Sequence, residues 1–375
     1  MIRLIWRRRR RAAGVAAATL ALAGATTALV TAGPASAAPG WTATTLTSST
    51  PGDNLVLNGV SARTNTDAWI VGAQYPNAQG PVTFHWTGST WSPVPTPPLP
   101  TGVNDALNAV SASSATDAWA VGDIFTTPRS GQTLLEHWNG RAWSVDAADS
   151  VTAGEASLNG VLDLSPANAY AIGMTRTSAL IEHWNGTSWS QLTLPDPSFF
   201  PSGIAGLSAS DVWMAGSSHG AAEALHFNGS TWTVLPLASA GVTSPVLTGV
   251  TEVAPNDVWA VGYDTLANPV INGTLIEHWN GTTWSVLPSP NLGNVNRLVA
   301  VAGRSSSDVY ATGNYEIPNT DDPIRVNGLI LRWNGSSWAV DTGGSSPQAS
   351  GAAATFPGAA TEWIVGGNGV ILSHP

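Results

Sequence analysis

Apolar residues in this chain occur in short runs that end in glycine and are separated by polar turn residues. The run Asp117-Ala-Trp-Ala-Val-Gly122 recurs as Asp257-Val-Trp-Ala-Val-Gly262 and, more loosely, at 67–72, 168–173, 211–216, 308–313 and 361–366. A second motif, His137-Trp-Asn-Gly-Arg-Ala-Trp143, follows the first and recurs at 85–91, 183–189, 226–232, 278–284 and 332–338. The aromatic residue of the first motif returns at intervals of 43 to 53 residues, so the chain is built from seven copies of one unit.

Each unit predicts four strands. Segments such as Val110-Ser-Ala112 form the first strand, and the Asp-x-Trp motif ending in glycine forms the second. Thr274-Leu-Ile-Glu-His-Trp279 exemplifies the third strand and Trp284-Ser-Val-Leu287 the fourth. Asn-Gly between strands three and four indicates a hairpin, because both residues tolerate a positive φ. Ser-x-x-Asp between strands one and two indicates a turn in which short polar side chains satisfy backbone groups.

Seven units of four strands predict an all-β fold, a seven-bladed β-propeller. A linear solenoid is the alternative, and the two ends of the array argue against it. The last copy stops after Gly369-Val-Ile-Leu-Ser-His374, which matches a third strand, so its fourth strand is missing. Pro39-Gly-Trp41-Thr42 matches the start of a fourth strand, and Trp41 precedes Trp91 by 50 residues. We therefore expect the N-terminal strand to complete the last blade and close the ring, which leaves no open sheet edge.

The first 37 residues have the layout of a secretory signal peptide. Five arginines at 7–11 precede an uncharged stretch at 12–32 and the small-x-small pattern Ala35-Ser-Ala37. We expect residues 1–37 to be a signal peptide and residues 38–375 to be the propeller, secreted to the extracellular space without membrane contact after cleavage. An uncleaved membrane anchor is the alternative, because the apolar stretch is nearly long enough to span a bilayer. The arginines leave both Sec and Tat export open.

Composition narrows the classes of function. The chain has no Cys, which excludes disulfides, thiolate metal sites and a cysteine nucleophile. It also has no Lys, so its 14 basic residues are all Arg, against 24 acidic residues. Without the first 37 residues, eight arginines remain and the formal charge is −16. Such a surface repels phosphate and anionic lipid, so we expect no nucleic-acid partner.

The repeated Glu-His and Trp positions could carry chemistry, but their recurrence favours a structural interpretation. Adjacent Glu and His at 136–137, 182–183 and 277–278 point to opposite faces of a strand and do not converge on one ion. The histidine recurs in six of the seven copies, with Arg332 in the other, as a packing or inter-blade hydrogen-bonding residue would. His219 lies outside the repeat, and we interpret it as a surface-loop residue. All 17 Trp after the signal segment follow the repeat, which favours blade core over sugar-stacking platforms.

Sequence diversity is concentrated in one set of connections. In a propeller, the connections from strand two to three and from strand four to the next first strand emerge on one face, and here they vary in length and content. Binding residues are commonly found on variable loops carried by a rigid scaffold. The predicted ligand-binding residues are therefore Tyr75, Asp123, Arg129, Arg176, Tyr263, Asp264, Tyr315, Asp321, Asp322 and Arg325.

Asp321 and Asp322 raise the question of a metal. They could hold Ca²⁺, which takes 6–8 oxygen ligands, but the chain has no Asp-x-Asp-x-Asp-Gly pattern. A solvated acidic loop is the favoured interpretation. The sequence predicts no metal site and no cofactor.

The segment at 180–190, Leu-Ile-Glu-His-Trp-Asn-Gly-Thr-Ser-Trp-Ser, is followed by Asp211-Val-Trp213. Together they resemble the seven-bladed bacterial and fungal propeller lectins of the tectonin and Photorhabdus type. A second strand that ends in glycine, followed by an aromatic residue and a Trp, resembles more loosely the kelch repeat of galactose-oxidase-like propellers. The lectin resemblance implies multivalent sugar binding at sites between blades.

Together these features predict a secreted binding protein rather than an enzyme. The leading hypothesis is recognition of a carbohydrate or cell-surface glycan, on the variable loops or between blades. The alternative is a protein-interaction scaffold at the cell envelope. A polysaccharide hydrolase or lyase is the third hypothesis, and it needs several carboxylates to converge within ~5–10 Å of each other. Galactose-oxidase chemistry needs a cysteine-crosslinked tyrosine, and Gly-x-Ser-x-Gly, His-Glu-x-x-His and phosphate-loop motifs are absent. The oligomeric state is left open.

Overall fold

The computed structural model describes residues 40–48, 51–76, 80–99, 105–125, 131–146, 155–238, 244–266, 271–317, 325–344, 353–354 and 361–375. Regular structure in these ranges consists of β-strands, apart from one 3₁₀ turn at Thr342–Gly344. None of the described residues forms a helix that is long and apolar enough to cross a membrane. The predicted signal peptide at 1–37 lies outside the described residues.

The strands form seven four-stranded antiparallel blades, five of them as separate sheets and two joined in one eight-stranded sheet. Blade 1 contains β2 (Asn54–Thr64), β3 (Asp67–Tyr75), β4 (Gly80–Trp86) and β5 (Trp91–Val94). Blade 2 contains β6 (Ala106–Ser114), β7 (Asp117–Phe125), β8 (Gly131–Trp138) and β9 (Trp143–Val145). Blade 3 contains β10 (Ala156–Ser165), β11 (Asn168–Thr175), β12 (Ala179–Trp184) and β13 (Trp189–Gln191). Blade 4 contains β14 (Phe200–Ser208), β15 (Asp211–Ser218), β16 (Ala221–Phe227) and β17 (Trp232–Pro236).

The last three blades follow the same order along the chain. Blade 5 contains β18 (Pro245–Ala254), β19 (Asp257–Leu266), β20 (Ile271–Trp279) and β21 (Trp284–Val286). Blade 6 contains β22 (Val295–Ser305), β23 (Asp308–Ile317), β24 (Arg325–Trp333) and β25 (Trp338–Val340). Blade 7 contains β26 (Ala353–Ala354), β27 (Glu362–Val365), β28 (Val370–His374) and β1 (Thr42–Thr45). The prediction of an all-β, seven-bladed propeller is therefore confirmed.

The two ends of the propeller meet in blade 7. β1 pairs with β28 in antiparallel register, with Thr42 opposite Ser373 and Thr45 opposite Val370. The backbone N–H of Leu46 continues the ladder by donating to the carbonyl of Gly369 at 2.9 Å. The N-terminal strand thus supplies the fourth strand of the last blade, as the position of Trp41 in the repeat predicts.

In blades 1 to 6, the glycine of the second-strand motif lies beside a bulge in the first strand. In blade 2 the register of β6 against β7 shifts between Leu107 and Ala109, and Leu107 lies opposite Gly122. A Cβ on Gly122 would lie only 1.9 Å from the carbonyl oxygen of Ala106, so no side chain fits there. The same contact, at 1.9 to 2.1 Å, recurs at Gly72, Gly173, Gly216, Gly262 and Gly313.

Aromatic packing joins each blade to the next. The ring of Trp69 in blade 1 lies 4.9 Å from Trp138 and 5.0 Å from Trp143 in blade 2, measured between ring centroids. The second-strand aromatic residue of every other blade makes the corresponding contact with the next blade, at centroid distances of 4.9 to 6.2 Å. These residues are Trp119, Tyr170, Trp213, Trp259, Tyr310 and Trp363. All seven of these aromatic side chains are buried, so the core consists of the seven interfaces between blades.

The recurring histidine of the third strand is hydrogen-bonded and stacked within its own blade. Nε2 of His137 donates to Oδ1 of Asp117 at 2.7 Å, and its ring stacks on Trp119 with a centroid distance of 4.4 Å. Both partners belong to blade 2, so of the two predicted roles, packing or an inter-blade hydrogen bond, this histidine has the packing role. Arg332 takes the same place in blade 6 and donates to Asp308 at 2.8 Å. The Glu-His pairs are therefore structural.

His374 does not occupy the histidine position of the repeat. It lies opposite Glu362, whereas the second-strand Trp363 lies opposite Ser373. The register therefore puts His374 where the other blades have the tryptophan before Asn-Gly, one residue later than the sequence motif suggests. Its ring accordingly packs across the interface, 5.8 Å from Tyr310 of blade 6.

The Asn-Gly hairpins use a side-chain cap. Oδ1 of Asn139 accepts hydrogen bonds from the backbone N–H groups of Arg141 and Ala142, at 3.0 and 3.2 Å. Gly140 has φ of 89°, and among the described residues only His219 and Asn368 adopt a positive φ without being glycine. The asparagine therefore caps the turn rather than entering the left-handed region, in contrast to the sequence-based expectation.

Blades 5 and 6 are additionally linked by backbone hydrogen bonds. Asn272 of β20 pairs in parallel with Val295 of β22, and its N–H donates to the carbonyl of Asn294 at 3.2 Å. The buried amide of Asn296 returns a bond to the carbonyl of Asn272, also at 3.2 Å. These two blades thus form one continuous sheet at the edge that carries the second-strand ends.

The variant Gly122→Ala tests the role of the bulge. We expect it to lower the free energy of unfolding by about 2–3 kcal/mol, because the new Cβ must displace the backbone of β6. Gly80→Ala is the matched control, since nothing lies within 4 Å of a Cβ at Gly80. Urea denaturation measures both variants, and equal stabilities would show that the bulge does not require glycine.

The variant Trp41→Ala tests how the ring closes. Trp41 packs on Tyr310 at 5.6 Å and on His374 at 5.1 Å, so its loss should loosen blade 7 locally. We expect hydrogen exchange to accelerate in β1 and β28 before any other strand. Trp338→Ala, at the corresponding position of blade 6, should leave β1 protected. Exchange that accelerates equally around the ring would contradict a local closure at blade 7.

Candidate ligand-binding face

The two faces of the propeller differ in uniformity. We call variable face the one formed by the ends of the second strands, the starts of the third strands and the connections between blades. The opposite face carries the short first-to-second-strand turns and the Asn-Gly hairpins, which repeat almost unchanged. The variable face is therefore where this chain differs from blade to blade.

The predicted ligand-binding residues fall into two groups on the variable face. Tyr75, Asp123 and Arg176 lie on blades 1 to 3, and Tyr263, Asp264 and Tyr315 lie on blades 5 and 6. Arg129, Asp321 and Asp322 lie outside the described residues, and only the backbone of Arg325 is described, at the start of β24. The two groups occupy different sectors of the ring.

The first group is acidic. Tyr75 lies near Asp105 and Asp123, and its pKa is raised by burial and by both negative charges. Burial also raises the pKa of Asp105 and of Asp123, although each carboxylate accepts hydrogen bonds that offset part of the effect. Asp105 accepts from the N–H of Phe125 at 3.0 Å, and Asp123 accepts from Nδ2 of Asn108 at 2.9 Å. This sector therefore carries negative charge in a partly dehydrated setting.

A pocket of about 470 Å³ opens between blades 2 and 3 in the same sector. Phe125 and Gly131 line it from blade 2, and Glu155, Ser157 and Met174 line it from blade 3. Arg176 lies at its edge, where its guanidinium is 3.8 Å from the carboxylate of Glu155. Arg176 is largely exposed and Glu155 partly exposed, so the ion pair contributes little to stability.

The second group is more aromatic. The guanidinium of Arg297 lies over the ring of Tyr263, 5.4 Å from its centroid. Oδ1 of Asp264 accepts from the N–H of Ser244 at 2.8 Å, which fixes the connection that enters blade 5. Tyr315 is half-buried against the core between blades 5 and 6. Exposed apolar side chains border this sector at Leu292, Ile317 and Val326.

Sequence reasoning missed Asp105, Phe125, Met174 and Arg297. Asp105 and Arg297 lie at or near the starts of first strands, which have no recurring motif, so no pattern marked them. The strand register and the contact between blades identify Arg297 instead, because Arg297 lies opposite Asn314 and beside Tyr263 of the preceding blade.

The central channel has an uncharged lining. Its volume is about 450 Å³, and it is lined mainly by first-strand residues, in which apolar side chains such as Val56 and Val299 alternate with a few polar ones such as Asn58 and Thr248. Three bulge residues bridge neighbouring first strands by donating to the next backbone carbonyl: Asn58 to Leu107, Asn108 to Leu158 and Thr248 to Leu298, at 2.8 to 2.9 Å. These three side chains thus join neighbouring blades around the axis.

One constellation combines serine, histidine and aspartate. The Ser218 hydroxyl donates to the carboxylate of Asp196 and lies 2.8 Å from Nδ1 of His219. In a catalytic triad the histidine lies between serine and carboxylate, whereas here the serine is central and its side chain is buried. The arrangement fastens the two-residue turn at His219-Gly220 to the connection from blade 3. Within the described ranges, no group of three His, Asp or Glu residues could hold a metal ion.

Several carboxyl groups are buried between blades. Glu136 has no solvent exposure, and burial raises its pKa to about 8. Burial and the charge of Asp117 raise the pKa of Asp163 to about 8, and burial with the neighbouring Asp211 does the same for Glu252. The opposite shift occurs at Asp117, where hydrogen bonds from His137 and Ser113 outweigh the effect of burial and lower the pKa.

The fold defines the class of this chain as a seven-bladed β-propeller. No family model matches it, and no curated protein matches it. Similar solved structures include YCF48 bound to D1 peptide, with 17% identity, a TM-score of 0.57 and coverage of 89% of this chain and 96% of that chain. YCF48 from Cyanidioschyzon merolae has 16% identity and U3-55K has 11%, each with a TM-score of 0.57 and coverage of 89% and 98%. At these identities the likeness establishes the fold alone.

Buried carboxyls make stability depend on pH. A carboxyl with a raised pKa in the folded state stabilises the fold fully below its unfolded pKa near 4.5 and loses that contribution as pH rises through about 8. We expect the Tm at pH 8.5 to be about 3 °C or more below that at pH 5.5. Glu136→Gln should recover about 1–2 °C of this difference, whereas the partly exposed control Glu155→Gln should recover none. If calorimetry gave the same dependence of Tm on pH for both variants, the assignment of this pH dependence to Glu136 would be wrong.

Proposed function

We propose that this propeller is an exported, non-catalytic binding protein that recognises a peptide or protein partner on its variable face. The observation that carries the proposal is the contrast between the two faces. Leu292, Ile317 and Val326 expose apolar surface beside Tyr263 and Arg297, whereas the opposite face repeats short polar turns. Tyrosine, arginine and exposed apolar side chains are what protein interfaces are enriched in.

Two further points support a protein partner. A propeller of the same fold, YCF48, is described as bound to D1 peptide, so this architecture accommodates peptide ligands. The rigidity of the scaffold also limits the entropy lost on binding, because Asp264 and the Asn272 pairing hold the variable face of blades 5 and 6 in place.

Carbohydrate recognition is the second candidate function, and the tryptophans that precede the Asn-Gly turns favour it. Trp86, Trp184, Trp279 and Trp333 are only half-buried at the third-strand ends, so part of each ring faces solvent. Their indole N–H groups are used within the blade, as in the bond from Trp184 to the carbonyl of Pro166 at 3.1 Å. Sugar stacking would therefore occur at the outer edge between blades, as the lectin resemblance implies, and away from the variable face.

Parallel arrays of defined peptides and of glycans distinguish the two candidates. We expect reproducible binding to a subset of peptides, lost in Ile317→Asp, because a charge at this exposed position disrupts an apolar contact. Val145→Asp is the matched control, since Val145 is comparably exposed (42% against 47% for Ile317) but lies on the outer strand of blade 2. Binding to glycans alone, unaffected by Ile317→Asp, would overturn the peptide proposal in favour of the second candidate.

A further inference from the structure

The pocket between blades 2 and 3 has the chemistry of a subsite for one side chain. We propose that it receives a lysine or arginine side chain of a bound peptide, with the aliphatic stem against Phe125 and Met174 and the cationic group at Glu155. This inference rests on the proposed function and specifies the ligand chemistry that the variable face selects.

The walls of the pocket suit an extended apolar stem. Phe125 is half-buried on blade 2, and Met174 is 43% exposed on blade 3, so each presents apolar surface to the opening. Gly131 keeps the space between them clear, because a Cβ there would lie 3.2 Å from the Phe125 ring and 3.3 Å from the carbonyl oxygen of Ala156. Long cationic side chains characteristically bury their methylene stems in this way.

Two carboxyl groups, those of Glu155 and Asp123, lie around the pocket against the single guanidinium of Arg176. Glu155 is at the opening, and Asp123 lies next to Ser157, whose hydroxyl donates to Oδ1 of Asn159 at 3.1 Å. Oδ1 of Asp123 is buried and accepts no hydrogen bond from any described residue. Because a dehydrated carboxylate is stabilised strongly by a nearby cation, this setting favours a cationic ligand over an anionic or a purely apolar one.

The repeat shows what is missing at this interface. Tyr263 follows the second-strand glycine of blade 5, and blade 6 contributes Arg297 to its ring. Asp123 holds the corresponding place in blade 2, but blade 3 contributes Ser157 where blade 6 has Arg297. At this position of the repeat, the chain supplies a cation between blades 5 and 6, whereas between blades 2 and 3 Asp123 meets the hydroxyl of Ser157 and the cation of Arg176 pairs with Glu155 instead.

The local backbone is organised before any ligand binds. The N–H of Arg176 donates to the carbonyl of Glu155 at 2.9 Å, and the turn after β11 is closed by the bond from Thr175 N–H to Ser178 at 2.8 Å. The Arg176 guanidinium is 77% exposed and 3.8 Å from Glu155, so an incoming cation can replace it at the carboxylate with little loss.

Fluorescence anisotropy with four labelled peptides tests this subsite. The peptides share a Gly/Ser frame and differ at one central residue, which is Arg, Lys, norleucine or Glu. We expect the Arg and Lys peptides to bind about tenfold more tightly than the other two, with affinity that falls as salt rises. Glu155→Gln should weaken the Arg peptide about fivefold. Glu223→Gln is the matched control, because it removes one charge from the variable face of blade 4.

A second pair of variants separates chemistry from folding. Met174→Arg places a cation in the pocket and should abolish the preference for Arg over norleucine, whereas Met174→Leu should keep it. Equal binding of the four peptides, or equal losses in Glu155→Gln and Glu223→Gln, would overturn the cationic subsite while leaving peptide binding intact. Absence of binding to any peptide here and on the array would overturn the proposed function as well.

Discussion

The ring depends on one repeated contact, in which the aromatic side chain of each second strand packs between the outer strands of the next blade. Burying ~150–250 Å² of each ring at ~25 cal/mol per Å² contributes roughly 4–6 kcal/mol per interface, as an upper value. This contact uses Trp69, Trp119, Trp213 and their counterparts for cohesion, so they are not available as platforms for a ligand. The high tryptophan content therefore reflects architecture.

A second constraint acts near the axis. The bulge in the first strands of blades 1 to 6 brings the backbone so close to the second strand that only glycine fits opposite it, as at Gly122 and Gly262. The bulge also turns Asn58, Asn108 and Thr248 towards the next blade, where they bond to its backbone. Geometry thus determines which residues can occupy these positions. The residue type can differ from blade to blade at the strand ends on the variable face, where Tyr75, Tyr263 and Arg176 lie.

The sequence predicts the scaffold well because each scaffold contact recurs in several blades. The strand order, the glycine at position 122 and the closure through Trp41 all follow from that recurrence. The sequence fails where a contact occurs once. Asp105 and Arg297 have no repeated motif, and their roles follow from register with a neighbouring blade. His374 shows that prediction can also fail within the repeat. A register difference of one residue puts it at the tryptophan position rather than at the histidine position.

Backbone hydrogen bonds distinguish two joints of the ring from the others. Blades 5 and 6 exchange backbone bonds at Asn272, and blades 7 and 1 are joined by the bonds from Leu57 to Gly366 and from Gly369 to Leu55. At the remaining joints the described residues bond across the interface through side chains, as Asn108 does to the carbonyl of Leu158. The last blade is thus held by the main chain on both sides of the chain's closure, through β1 within the blade and through blade 1 beyond it. The seam of the circle is therefore reinforced rather than weak.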